Sequence, residues 1–305
     1  MRHITRFMRP VHLLLLGTAV AGCRPPSSSA VPAPTPEILG IVDGRTNAPV
    51  SSATLSTQLR GADFVLLGEL HDNAAHHRAR AALIAANRPV LVFEHFRFGD
   101  KALERPASGI ADTVWLDGAG FDRKGWRWPL HAPLVSAALG TGRPIWGSNL
   151  SSGALRTVVR QGADSAPATL ASLVRQVPLD SVGRRLQDQE IIDGHCGKLP
   201  VSMVGGMRAA QEVRDAAMAE AMMAARRDGP VWLVAGNGHV REDVAVPRLL
   251  RALAPTAQVV SVGFVEVGAD GARTPPPPGR YRYVIFTAGV TGREDPCATL
   301  TMPAR

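Results

Sequence analysis

Short apolar runs alternate with helical patterns along most of the chain. Phe64–Leu67, Val90–Phe93 and Val231–Val234 are apolar at every position, and Arg143-Pro144-Ile145-Trp146 opens a further run. Continuous apolar runs of this length suit strands covered on both faces, the usual state of a parallel sheet. An alanine-rich helix is expected from Asn73 to Ala86, a second near Pro133–Leu139 and a third over Val246–Leu253. Val259–Val267 and Tyr281–Phe286 read as closing strands, joined by a loop containing Pro275–Pro278. A less regular stretch holds Trp115, Trp126 and Trp128. Strands separated by helices predict an α/β fold with right-handed crossovers, a mostly parallel sheet flanked by helices. From 151 to 228 the pattern is helical only, so an all-helical lobe is inserted between the third and fourth strands. Its last helix, about Val201 to Arg227, carries Met203, Met207, Met218, Met222 and Met223. Spacings of four put methionines on one face. That face is either core filled by flexible side chains or an apolar wall for a flat ligand or a second copy.

The N-terminal segment has its own logic. Arg2, Arg6 and Arg9 precede an apolar run, Leu13 to Gly22, that ends in Val20-Ala21-Gly22-Cys23. A cationic head, a short apolar stretch and small residues at the cut make a secretory signal. The run is too short to span a bilayer, which takes about 20 helical residues. Residues 1–22 are therefore expected to be a lipoprotein signal peptide, with Cys23 as the lipidated residue. Residues 23–37, rich in Pro and Ser, cannot build a core and read as a tether. Residues 38–305 form the α/β domain. Arg24 is not the aspartate that favours inner-membrane retention, so the expected place is the bacterial outer membrane, lipid-anchored, facing the periplasm or the cell surface.

Charge narrows the partners. The 305 residues carry 34 basic and 26 acidic side chains. Without Arg2, Arg6 and Arg9 there are 31 against 26, a net of +5. No arginine cluster is dense enough for a nucleic-acid groove, so nucleic acid is not an expected partner. The surplus suits anionic headgroups or ligands. Besides Cys23 there are only Cys196 and Cys297. In an oxidising compartment these two can pair, and two buried thiols are the alternative, since spacing alone does not show that the side chains meet.

Candidate chemistry follows from position. The strands end in polar residues: Gly68-Glu69-Leu70-His71-Asp72, Glu94-His95, Gly147-Ser148-Asn149, and Gly236-Asn237-Gly238-His239-Val240-Arg241. Ligands of open parallel sheets sit beyond the carboxyl ends of the strands. Glu69, His71, Glu94 and His239 are thereby expected to converge. Two carboxylates and two imidazoles suit a divalent cation such as zinc, manganese or iron, or general acid–base work. The plainer reading is helix capping, for which Asp72 and Asn73 are ordinary candidates. His76 and His77 read as a solvated helix face, and His131 has no evident partner.

Several motifs together resemble the ChaN family of haem-binding lipoproteins. They are Leu67-Gly68-Glu69-Leu70-His71-Asp72-Asn73, Phe93-Glu94-His95-Phe96, and Gly194-His195-Cys196-Gly197-Lys198-Leu199-Pro200. Ala210-Gln211, Arg214-Asp215 and Met218-Ala219, the Gly236–Arg241 run, and Asp295-Pro296-Cys297 complete the set. The resemblance implies reversible haem or iron-porphyrin binding at the outer membrane, linked to iron uptake. Haems could be held at a homodimer interface, with an outer-membrane haem receptor as partner. It also implies a tyrosine ligand to haem iron, yet only Tyr281 and Tyr283 are present. His195 is the substitute candidate, since imidazole is a common axial ligand; a structural histidine beside Cys196 is the other reading. Asn237, Arg241 and Met207 join these residues as cofactor-binding candidates, with arginines suited to the propionates. The wider superfamily, with Tiki/TraB-type proteins and erythromycin-esterase-like enzymes, implies an alternative: a metal-dependent hydrolase using the strand-end Glu/His cluster. No covalent haem-attachment motif, Walker loop, zinc-protease helix or serine elbow is present.

Overall fold

The computed structural model describes residues 37–300. The leader, Cys23 and the tether up to residue 36 lie outside the described residues. Seven strands form one sheet: β1 Gly40–Asp43, β2 Phe64–Leu67, β3 Val90–Arg97, β4 Ile145–Asn149, β5 Val231–Val234, β6 Val259–Glu266 and β7 Tyr283–Thr287. Their order is β1-β7-β6-β2-β5-β3-β4, parallel throughout except for β1, which runs antiparallel to β7 at the edge.

The pleat assigns each apolar run to two cores. Phe64, Leu66, Val90, Val92, Val231 and Leu233 enter one. Their neighbours Val65, Leu67, Leu91, Phe93, Trp232 and Val234 enter the other, because successive side chains point to opposite faces. The second core is covered by α1 Ser52–Gly61, α2 Ala74–Asn87, α3 Thr113–Gly118 and α4 Ala132–Gly140. The first is covered by α5 Ser152–Gln161, α6 Ala168–Gln176, α8 Val201–Ala225 and α9 Val246–Leu253. Helices alone fill the chain between β4 and β5, with α7 Ser181–Gly194 completing that insertion.

The long helix α8 divides the methionines. Ala216, Ala217, Ala219, Ala221 and Ala225 are buried, so its backbone lies close to the sheet. Met218 and Met222 are buried with them as core filler, whereas Met203, Met207 and Met223 are only partly covered. Elements the pattern did not announce are the short edge strand β1, α1 and α3. β1 is only partly covered, and a half-exposed edge leaves little apolar signature.

A disulfide joins Cys196, just past α7, to Cys297 in the short helix α10 Pro296–Thr299, with Cα atoms 5.6 Å apart. From β2 the chain crosses through α2 to β3 on one side, and from β5 it crosses through α9 to β6 on the other. A crevice therefore opens at the carboxyl ends of β2, β5 and β3.

Candidate functional site

The pleat that sorts the cores also sorts the strand-end polar residues. Leu67 and Phe93 face α2 and α4, so Glu69 and His95, each two residues further on, share that face. Glu94 lies between and points to the α8 side. Glu69, His71, Glu94 and His239 thus reach one rim in two groups rather than as one ligand set.

The first group is built around the buried Glu69. Its Oε1 lies 2.5 Å from His71 Nδ1, 3.1 Å from His95 Nε2 and 3.5 Å from His131 Nε2. Its Oε2 is 3.2 Å from His77 Nδ1 and ion-pairs with the buried Arg80. Arg80 also donates to His77 Nδ1 at 2.8 Å, and His77 Nε2–H donates to the His71 carbonyl at 3.1 Å. That chain fixes the His77 tautomer, since a carbonyl only accepts. The rings pack closely: centroids are 3.9 Å apart for His77 and His131 and 4.6 Å for His95 and His131. Trp126 closes the outer side, 4.4 Å from His95 and 4.8 Å from His71.

Burial dominates the protonation of this group. It lowers His77 to about 4 and holds His95 and His131 well below the ordinary imidazole range. These rings are neutral at pH 7. Burial draws Arg80 down to about 9, which leaves it cationic. His76 and His77, expected on a solvated face, are buried, because α2 packs against α4 and into the second core. His131, expected to lack a partner, sits among His77, His95 and Glu69. The cap expected of Asn73 is present: its Oδ1 accepts from Ala75 N and His76 N. Asp72 instead pairs with Arg293.

The second group lies on the α8 side. Glu94 Oε2 accepts from Gly236 N at 2.6 Å, and Oε1 pairs with Arg214 and lies 3.5 Å from His239 Nε2. Asp215 Oδ1 is 2.6 Å from His239 Nδ1. Burial pushes the Glu94 carboxyl up, but His239 and Arg214 outweigh it and hold the pKa well below the carboxylate range. Burial and Arg214 push His239 down, yet Glu94 and Asp215 leave it above its ordinary value. Burial raises Asp215. Gly236 lies between the two groups: a Cβ there would stand 3.0 Å from the His71 ring and 3.6 Å from Glu94 Oε2.

The cofactor candidates separate as well. His195 and Arg241 line a cleft of about 170 Å³ with Gln187, Ile191, Gln211 and Val244. His195 Nδ1 donates to the Ile191 carbonyl at 2.7 Å, which leaves the lone pair on Nε2. Arg241 is buried and already paired with Glu190 and Asp243. Asn237 braces the backbone of Phe264 through both amide atoms. Met207, half-buried on α8, is not among the residues lining that cleft.

The two tyrosines are both enclosed by packing. Tyr283 is buried in the sheet core, and Tyr281 donates to the Asn237 carbonyl with its pKa pushed up by burial to about 12. A phenol so held is a poor source of phenolate.

Arg80, His77, His95, His131, Arg214 and Asp215 are the residues that strand-end reasoning missed as members of the site. One signal was readable. His77 and Arg80 are one turn apart on an alanine-rich helix, a face that a parallel sheet would cover.

A family model described as haem-binding uptake, Tiki superfamily, ChaN matches residues 55–250. Among solved structures, one of cofacial haem binding to ChaN of Campylobacter jejuni superposes with a TM-score of 0.64 at 17% identity. It covers 82% of this chain and 97% of that one. A type III effector follows at TM-score 0.40 and 14% identity, covering 77% and 92%. An erythromycin esterase in its open conformation gives 0.37 and 15%, covering 81% and 83%. The first shows the fold; the other two are too distant to bear on the site. No curated protein matches the chain.

Proposed function

Since the chain belongs to the ChaN family of haem-binding uptake proteins in the Tiki superfamily, we propose that it binds haem reversibly and carries it for iron uptake at the outer membrane, tethered through a lipid on Cys23. Family membership over residues 55–250 is the observation that carries this reading.

The axial ligand in this reading is His195. Its Nδ1–H is anchored on the Ile191 carbonyl, so the ring is oriented and Nε2 is left as the donor. A hydrogen bond donated by the non-ligating ring nitrogen raises imidazole basicity towards a metal. The cleft beside it holds about 170 Å³, well under the roughly 300 Å³ at which ligand pockets begin. A porphyrin would therefore lie across its mouth rather than inside it. Its outer face would then be covered by a second haem, in line with the cofacial haem binding of the Campylobacter protein, and in this reading a second copy of the chain carries that haem.

Haemin titration tests the reading. Wild-type protein is expected to shift the Soret band at a fixed stoichiometry, and His195→Ala to weaken binding tenfold or more. The absence of any Soret shift with wild-type protein would overturn haem binding. A shift unchanged in His195→Ala would overturn only the ligand.

A further inference from the structure

We propose that Glu69, His71, His95 and His131 form a site for a divalent transition-metal ion of the zinc class, separate from the His195 cleft and independent of the haem reading. The four can each offer one atom such that all four atoms lie within 4.8 Å of one another.

Hydrogen bonding does not account for the arrangement. Three imidazole nitrogens address one carboxylate oxygen, at 2.5, 3.1 and 3.5 Å. His131 is only 1% exposed, yet neither of its ring nitrogens makes a hydrogen bond, and His95 Nδ1 makes none either. Burying an unsatisfied polar atom costs about 1–3 kcal/mol, so a site with several needs a reason. A cation supplies it. A tetrahedral ion with bonds of roughly 2.0–2.1 Å has ligand atoms about 3.3 Å apart, and the three separations from Glu69 Oε1 straddle that value.

Orientation and donor chemistry agree. Arg80 holds Glu69 Oε2, which turns Oε1 towards the three nitrogens. Three imidazoles and one carboxylate suit zinc, iron(II), nickel or copper over magnesium or calcium. Ion entry replaces the hydrogen bonds of His71 and His95 to Oε1, and any proton on a ligating nitrogen moves to the other nitrogen of its ring or leaves to solvent. The side chain of His71 is 45% exposed while the other three ligands are buried, so the ion would be reached from the rim.

Cobalt(II), whose visible absorption intensifies in four-coordinate sites, is the probe. Chelator-stripped full-length protein is expected to take up one cobalt per chain, and zinc to displace it. His71→Ala removes a half-exposed side chain and should preserve the fold; it and His131→Gln are each expected to weaken binding tenfold or more. His239→Gln, on the opposite face of the sheet, should leave affinity within twofold. Protein that stays folded by circular dichroism but binds no cobalt overturns the proposal. So does binding lost in His239→Gln but kept in His131→Gln. The Soret titration of the metal-stripped protein reports on the haem reading separately, so either can fail alone.

Discussion

At the level of single residues, the protein is organised by buried imidazoles. Among the described residues His76, His77, His95, His131 and His239 are all buried, and only the last has its pKa raised. His76 accepts from Leu70 N through Nδ1, and burial lowers its pKa to about 3. A histidine held neutral in the fold is protonated on unfolding below its ordinary pKa. Its stabilisation is complete above pH 6.5 and is lost as pH falls towards about 3. Between pH 7 and 5 this amounts to about 2 kcal/mol for one such group. Urea unfolding is expected to show a loss of at least that size, since His77 titrates in the same sense. In His76→Gln the loss should shrink by about 2 kcal/mol. Equal slopes in the two proteins would contradict the assignment. His239 works in the opposite direction: its raised pKa favours the fold at low pH, and that contribution fades as pH rises through it.

At the level of elements, α2 and α8 are each read by the sheet face they cover. Both are alanine-rich, and in α8 this brings the backbone close to the strands. Each then turns a few polar or charged groups into the strand ends: His77 and Arg80 from α2, Arg214 and Asp215 from α8. The periodicity of α2 was legible from Asn73 to Ala86, and the helix spans Ala74–Asn87. What its histidines face was not, because a helix face carrying His and Arg reads as polar until the opposing carboxylate is in place. The far end of the insertion depends on a covalent tie. Cys196 and Cys297 close a loop of 101 residues, which in the chain-entropy model is worth about 4–5 kcal/mol, with measured cases centred on about 2–4. Cys196→Ser with Cys297→Ser is expected to lower unfolding free energy by a few kcal/mol. If the loss is confined to the tie, amide exchange should quicken first around α10 and the end of α7.

At the level of the whole molecule, the proposed carrier role depends on attachment. Cys23→Ser is expected to move the protein from the membrane fraction to the soluble fraction of its host and to abolish labelling by radioactive palmitate. Retention on the membrane with no label would remove the lipid anchor from the proposal. The amino-acid sequence alone determined the α/β class, the strands β2 to β7, the helical insertion and the crowding of polar residues at strand ends. Those features follow from local periodicity and from the burial of both sheet faces. Only the tertiary structure decided how those polar residues divide. Glu94 and His95 are neighbours in the chain, but the pleat sends one to Arg214 and His239 and the other to Glu69 and His131. Likewise, Tyr281 and Tyr283 look available in the sequence and are sealed by packing. Partnership across a sheet depends on which side each side chain leaves the backbone and on which helix covers it, and neither is contained in spacing along the chain.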